Sequence, residues 1–157
     1  MNIDSKLYNA LERDLSAGYL TNWAARLYAR EMDAHLAPLG LGSATLPVIF
    51  ALAPDTDGTR KALTQRDLAR HAEVEQPTMA NTLARMERDG WIARRPNPQD
   101  KRSSLITLTP HALAHLPQLT DAVTRINARS LNGLSLEEAT LLRTMLTRVI
   151  ANLQTQA

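Results

Sequence analysis

The chain has 157 residues, 44% of them hydrophobic and 22% charged, with a net charge of +2. That is the size of one packed domain, and the composition excludes a disordered tail, which needs low hydrophobicity and high net charge. The absence of cysteine excludes disulfides, thiolate metal sites and cysteine nucleophiles. No apolar run approaches the roughly 18 residues of a membrane span, and Met1–Ala10 lacks the apolar stretch of a secretion signal. A cytoplasmic protein with no membrane partner, no cofactor and no metal is the expectation.

In chain order, residues 5–36 read as one long helix, with Leu7, Leu11, Leu15, Leu20, Trp23 and Leu27 recurring at three- to five-residue steps. Pro38 and Gly40 end it. Ser43 reads as the N-cap of a second helix to about Ala53, with Pro47 in its first turn. Pro54–Gly58 is a loop. Thr64 opens a short helix over Gln65–His71 that carries Leu68 inward. A tight connection over Ala72–Glu75 leads to a helix from Gln76-Pro77 to Asp89, which Gly90 terminates. Two strand-like pieces follow, Trp91–Arg95 and Leu105–Leu108, separated by the charged turn Pro96–Arg102. Thr109-Pro110 caps a further helix, expected to be interrupted or kinked near Pro117. Ser135 with Glu138 forms a capping box that starts a last helix.

Charge singles out the middle of this pattern. Residues 1–59 carry a net −3, residues 60–102 a net +4 and residues 103–157 a net +1; 15 of the 18 bases are arginine. Arginine forks phosphates and guanine edges, which lysine cannot do. Two short helices joined by a tight turn and followed by a basic-tipped hairpin describe a winged helix–turn–helix. The fold class is therefore mainly α with a small β-hairpin wing. On the second helix Met79, Leu83 and Met86 fall on one stripe and point into a core with Val74. Thr78, Asn81, Thr82 and Arg85 are placed on the opposite side, a polar row without an acid. Gln76, Thr78 and Asn81 near the helix N-terminus suit base edges or phosphates, and Arg85 suits a guanine. Arg94, Arg95, Lys101 and Arg102 are assigned to the hairpin tip, where arginine suits a minor groove. Asp100 is expected to pair with a wing arginine and hold the hairpin open. The bland alternative is a winged helix used for protein contact.

Three stretches carry a resemblance: Leu63-Thr64-Gln65-Arg66-Asp67-Leu68-Ala69, Glu75-Gln76-Pro77-Thr78-Met79, and Leu83-Ala84-Arg85-Met86-Glu87-Arg88-Asp89-Gly90-Trp91-Ile92. With Asp100-Lys101-Arg102 and Leu105-Ile106-Thr107-Leu108-Thr109, which resemble a D-x-R…LT signature, the chain looks like the MarR family of transcriptional regulators. The resemblance covers nearly all of residues 1–157. It implies a DNA-binding lobe over 43–112 and a helical dimerisation region over 1–36 and 118–157. It implies a homodimer that binds a pseudo-palindromic double-stranded DNA operator. It also implies Arg102 in the minor groove with Asp100 orienting it. Two departures stand out: Glu75 where a small capping residue is usual, and Ala112 where glycine is common.

The flanking helices fit a dimer on their own terms. Leu141, Leu142, Met145, Leu146, Val149, Ile150 and Leu153 give the last helix an apolar surface too wide for a lone helix on a small domain; a monomeric bundle is the alternative. The resemblance further implies a repressor released by a small-molecule effector, often an aromatic acid. Trp23, Tyr28, Met32 and His35 with Ile49 and Phe50 are the candidate pocket, or else ordinary core packing. His111 and His115 lie at i, i+4 on one helix face, a spacing metals use, and Glu31, Asp33 and His35 are the nearest candidates to complete a site. A zinc-responsive regulator of the same fold is thus the alternative, against a chance pair on a solvated face. No phosphate-cradling loop, G-x-S-x-G or H-E-x-x-H occurs, so an enzyme is not expected.

Overall fold

Helices dominate the computed structural model, which describes residues 16–155, and most begin where the sequence supplies a cap. Helix α1 runs over Ala17–Leu36 with the Ser16 side chain accepting from the Tyr19 amide. Ser16 is extended, so the helix expected over 5–36 does not run through it; Leu7, Leu11 and Leu15 lie outside the described residues. Helix α2 spans Leu46–Leu52. Ser43 belongs to a 3-10 turn over Ser43–Thr45 and makes no side-chain cap, so the α-helix starts two residues later than the sequence suggests. Strand β1 is only Leu63–Thr64. Helix α3, Gln65–Ala72, opens with a full capping box between Thr64 and Asp67. Helix α4 is Gln76–Arg88, strand β2 Ile92–Pro96, strand β3 Ser104–Leu108, helix α5 Pro110–Ser130 and helix α6 Leu136–Gln154.

The chain divides into two compact units at Ala122/Val123, and α5 runs across the division. In the first unit the three strands form an antiparallel sheet in the order β1-β3-β2. Leu63 pairs with Ile106, Ile92 with Leu108 and Arg94 with Ile106. The third strand, β1, is an addition to the expected two-stranded wing. The core of this unit is built from Leu36, Ile49, Leu52, Leu68, Leu83 and Ile106, all essentially without solvent contact. Burying a side chain of this kind stabilises by roughly 1.5–3 kcal/mol. In the second unit α6 starts from the Ser135–Glu138 capping box. Only Ala139 of α6 is buried; Leu141, Leu142, Met145, Leu146, Val149, Ile150 and Leu153 are all exposed.

Thr109 ties the sheet to α5. Its hydroxyl donates to the Gly90 carbonyl at 2.6 Å and accepts from the Ala112 amide at 3.1 Å. Pro110 then occupies the first turn, where a missing N–H costs nothing. Helix α5 is not interrupted at Pro117, which sits inside it and removes one donor from the ladder.

Candidate nucleic-acid interface

The reading surface is assembled by α3, the turn after it, α4 and the wing. The turn is forced by Glu73, the one non-glycine residue with positive φ among the described residues (φ 52°, ψ 44°). Its backbone lets the Val74 amide reach back to the Ala69 carbonyl at 3.1 Å, closing α3. Holding a non-glycine residue there costs roughly 1–2 kcal/mol. Helix α4 then starts at Glu75, whose side chain makes no cap hydrogen bond. The first-turn amides of α4 therefore lack that side-chain partner, and the helix dipole adds positive potential at the same end. At the other end Gly90 (φ 77°) closes α4. The Trp91 amide donates to the Met86 carbonyl at 2.8 Å and the Gly90 amide to the Glu87 carbonyl at 3.1 Å.

Facing follows from the helical repeat. Met79, Leu83 and Met86 are buried, as expected. Gln76, Thr78, Asn81 and Arg85 are exposed, as is Arg88. Thr82 does not join that row: it is 7% exposed and its hydroxyl donates to the Thr78 carbonyl at 3.1 Å. It stands about 60° around the helix from Met79, inside the core-facing arc. Val74 is likewise corrected, since it is exposed rather than packed with the methionines. Among the described residues Arg85 makes no side-chain hydrogen bond or close ion pair, whereas Arg88 forks Asp89 at 2.8 and 3.2 Å. That fork holds the Asp89 carboxyl below its ordinary value. It also offsets the negative charge of Asp89.

The wing separates its cations by strand alternation. Arg94 and Arg95 lie on β2, not at the tip where they were expected. Arg94 shares a face with buried Ile92 and turns to α4, where its Nε donates to Glu87 Oε2 at 3.0 Å. Arg95 points the other way and is exposed. The tip holds Lys101 and Arg102, both exposed. Among the described residues Asp100 does not pair with an arginine side chain. Its Oδ1 accepts from the Arg102 backbone amide at 3.0 Å, and its carbonyl accepts from the Ser103 amide at 3.0 Å. Asn97 braces the base of the tip, donating from Nδ2 to Ser103 Oγ at 2.9 Å. Asp100 thus meets Arg102 through the main chain.

A second glutamine was missed by the sequence reading. Gln65, the first residue of α3, donates from Nε2 to Oε1 of Gln76, the first residue of α4, at 3.1 Å. Each lies directly after its helix cap, a coincidence of position that the sequence displays but that only the turn geometry converts into contact. An open groove of about 360 Å³ beside them is lined by Arg66, Arg70, Glu73, Glu75 and Gln76 among others.

The candidate effector residues are dispersed. Met32 and Ile49 are buried core residues, while Trp23, Tyr28 and Phe50 are exposed. His35 is exposed, its Nδ1 donating to the Glu31 carbonyl at 2.9 Å. A larger groove of about 540 Å³ lies elsewhere, between Asp33, Gly40–Thr45 and the Arg85–Asp89 end of α4. The two α5 histidines do face each other, with ring centroids 4.4 Å apart. Their partner is Trp91, at 4.9 Å from His111 and 5.6 Å from His115. His115 Nδ1 lies 2.8 Å from the His111 carbonyl, which fixes it as a donor. Among the described residues no three His, Asp or Glu side chains converge on a metal position, so Glu31, Asp33 and His35 do not complete the pair. Among the described residues no single helix is long and apolar enough to cross a membrane.

This order of elements, with a polar, acid-free helix face beside a braced cationic hairpin, defines a winged helix–turn–helix protein. The MarR family model matches residues 58–104. The chain is 31% identical to a solved transcriptional regulator designated PA3341, covering 89% of this chain and 99% of that one, with a TM-score of 0.75. The chain belongs to the MarR family. A MarR variant from E. coli, solved in complex with operator DNA, is 25% identical over 84% of this chain and 91% of its own, with a TM-score of 0.73. The uncharacterised HTH-type transcriptional regulator YwoH of Bacillus subtilis is 36% identical over 91 residues, 58% of this chain; the match spans 62% of that curated relative's length. These relatives are named as regulators of transcription, not as enzymes.

Proposed function

We propose that the chain is a sequence-specific DNA-binding transcriptional regulator that acts as a homodimer in the cytoplasm, a repressor released by a small, acidic aromatic effector. The observation that carries the DNA reading is the exposed row Gln76, Thr78, Asn81 and Arg85, next to a tip that presents Lys101 and Arg102. The row has hydrogen-bonding and guanine-forking chemistry for a major groove, and the tip has the charge for an adjacent minor groove. Arg95 adds a backbone contact. Thr82, being buried, acts through packing, and Arg94 through Glu87. The operator DNA held by the E. coli relative supports the same partner class here.

The homodimer reading rests on α6. Seven large apolar side chains on one helix in water is the surface of an interface, not of a free helix. Leu20, Trp23, Leu27 and Tyr28 extend the same property to α1. Two copies read two half-sites about one DNA turn, roughly 34–36 Å, apart. The effector reading rests on Trp23, Tyr28 and Phe50, whose rings are exposed.

The test is Arg102→Ala in a duplex-binding titration at several fixed salt concentrations. Affinity is expected to fall at least about tenfold, the value of one charge-assisted hydrogen bond, and the salt slope to drop by about one per wing. Sedimentation is expected to show an unchanged dimer. Unaltered affinity and slope would remove the wing from the interface.

A further inference from the structure

Resting on the DNA-binding reading above, we propose that Gln65 and Gln76 form one base-reading unit, in which Gln65 is a positioning residue that makes Gln76 present its amide NH2 to an acceptor edge of a base pair.

A free glutamine side chain is ambivalent. It carries one acceptor oxygen and two donors, and with both it grips adenine through N6 and N7. In this structure the Gln76 Oε1 is engaged by Gln65 Nε2 at 3.1 Å. The oxygen therefore turns toward α3, and the NH2 group on the other arm of the planar amide turns away from it. An NH2 alone pairs with acceptors: guanine offers two side by side, O6 and N7, whereas adenine offers only N7 and thymine only O4. The oxygen keeps a second lone pair, but its bond to Gln65 fixes the rotation of the amide with that oxygen toward α3, so the bidentate grip on adenine is disfavoured. The pair joins the first residues of α3 and α4, and Gln76 is exposed at the end of the row that holds Thr78, Asn81 and Arg85. Arg66 and Arg70 flank the adjoining groove, so phosphate attraction holds a backbone close to the unit. Asp67 lies two residues on, but its carboxylate is committed to the Thr64 amide and hydroxyl and does not compete for either glutamine.

The chemistry of residue 65 then dictates the base. An alanine there frees Gln76 and admits adenine. A glutamate accepts only, so it draws the Gln76 NH2 and turns the oxygen outward, favouring a donor edge, adenine N6 or cytosine N4. A lysine donates only and keeps the wild-type orientation. Neither glutamine belongs to the core: Gln76 is exposed and Gln65 half-buried.

The experiment is selection from a randomised duplex library at one salt concentration. It uses the full-length dimer as wild type, Gln76→Ala, Gln65→Ala, Gln65→Glu and Gln65→Lys. Gln76→Ala maps the position, as the one that loses its preference. At that position wild type is expected to favour guanine. Gln65→Ala is expected to lower that preference over adenine by about threefold or more, Gln65→Glu to reverse it, and Gln65→Lys to preserve it. A purely structural role for Gln65 would weaken all sequences alike and leave the preference untouched. Wild type that selects a site, with Gln65→Ala and Gln65→Glu showing the wild-type base preference, overturns this inference alone. Wild type without any salt-sensitive duplex binding overturns the DNA-binding reading, and the inference with it.

Discussion

Asp100 allows a sharp separation of two ways a carboxylate can serve a wing. As an ion it would hold an arginine side chain, and any neutral replacement would be harmful. In the structure it acts as an acceptor for the Arg102 main-chain amide at 3.0 Å. Asn retains that acceptor and Ala does not. Losing such a bond costs about 0.5–1.5 kcal/mol, which becomes about 2- to 12-fold in affinity per wing if the tip must be in place before Arg102 reaches the groove. Removing the charge has the opposite sign. For a phosphate about 8 Å away in water, the repulsion relieved is about 0.5 kcal/mol, and salt screening near the Debye length reduces it further. Asp100→Asn is therefore expected to bind DNA as well as wild type or up to about twofold better, and Asp100→Ala to bind several-fold worse. Fluorescence anisotropy with a labelled operator at fixed ionic strength reads both. If Asn proves as damaging as Ala, the carboxylate works through its charge and the main-chain account is wrong.

Other expectations follow from single contacts. Thr109→Val removes the cap on Ala112 and leaves the Gly90 carbonyl without its 2.6 Å partner, so urea unfolding should show a loss of about 1–3 kcal/mol; a loss under about 0.5 kcal/mol would mean that water replaces the hydroxyl freely. Leu142→Arg with Leu146→Arg on α6 should raise the dimer dissociation constant by on the order of a hundredfold or more, seen by sedimentation, because each leucine buried in an interface stabilises by roughly 1.5–3 kcal/mol; an unshifted dimer would place the interface elsewhere. The Asp67 carboxyl is held below its ordinary value by hydrogen bonds from the Thr64 side chain and backbone. Its folded pKa is depressed, so its stabilisation is present above the unfolded pKa and is lost as pH falls through the folded one. The thermal midpoint gap between wild type and Asp67→Asn should hold constant from neutral pH to about pH 5 and close below about pH 4; a gap that widens on acidification would reverse the assignment.

The order of elements was readable because each carries its own punctuation. Thr64 with Asp67, Ser135 with Glu138, Gly90 after α4 and Thr109-Pro110 before α5 are local signals, and local signals survive folding. What depends on a partner far along the chain was not readable. Strand β1 has two residues, too few to alternate, and exists only because β3 offers an edge to it. Arg94 reads as a wing cation until the sheet turns it toward Glu87. The Gln65–Gln76 contact needs the turn at Glu73 before two distant glutamines meet. Thr82 is a different case. Its place three residues after Met79 and four before Met86 already puts it on the buried seam, and the polar side chain hid this because a threonine hydroxyl can satisfy itself on its own helix.

The two tryptophans are placed as natural opposites. Trp91 is 2% exposed beneath the rings of His111 and His115, and Trp23 is 48% exposed on α1. The unlabelled protein accordingly carries two indole chromophores whose emission differs in colour, blue for the enclosed ring and red for the wet one. The first monitors the seam joining α4, the hairpin and α5. The second brightens or shifts when something covers α1, so association and local melting can be followed separately in one cuvette.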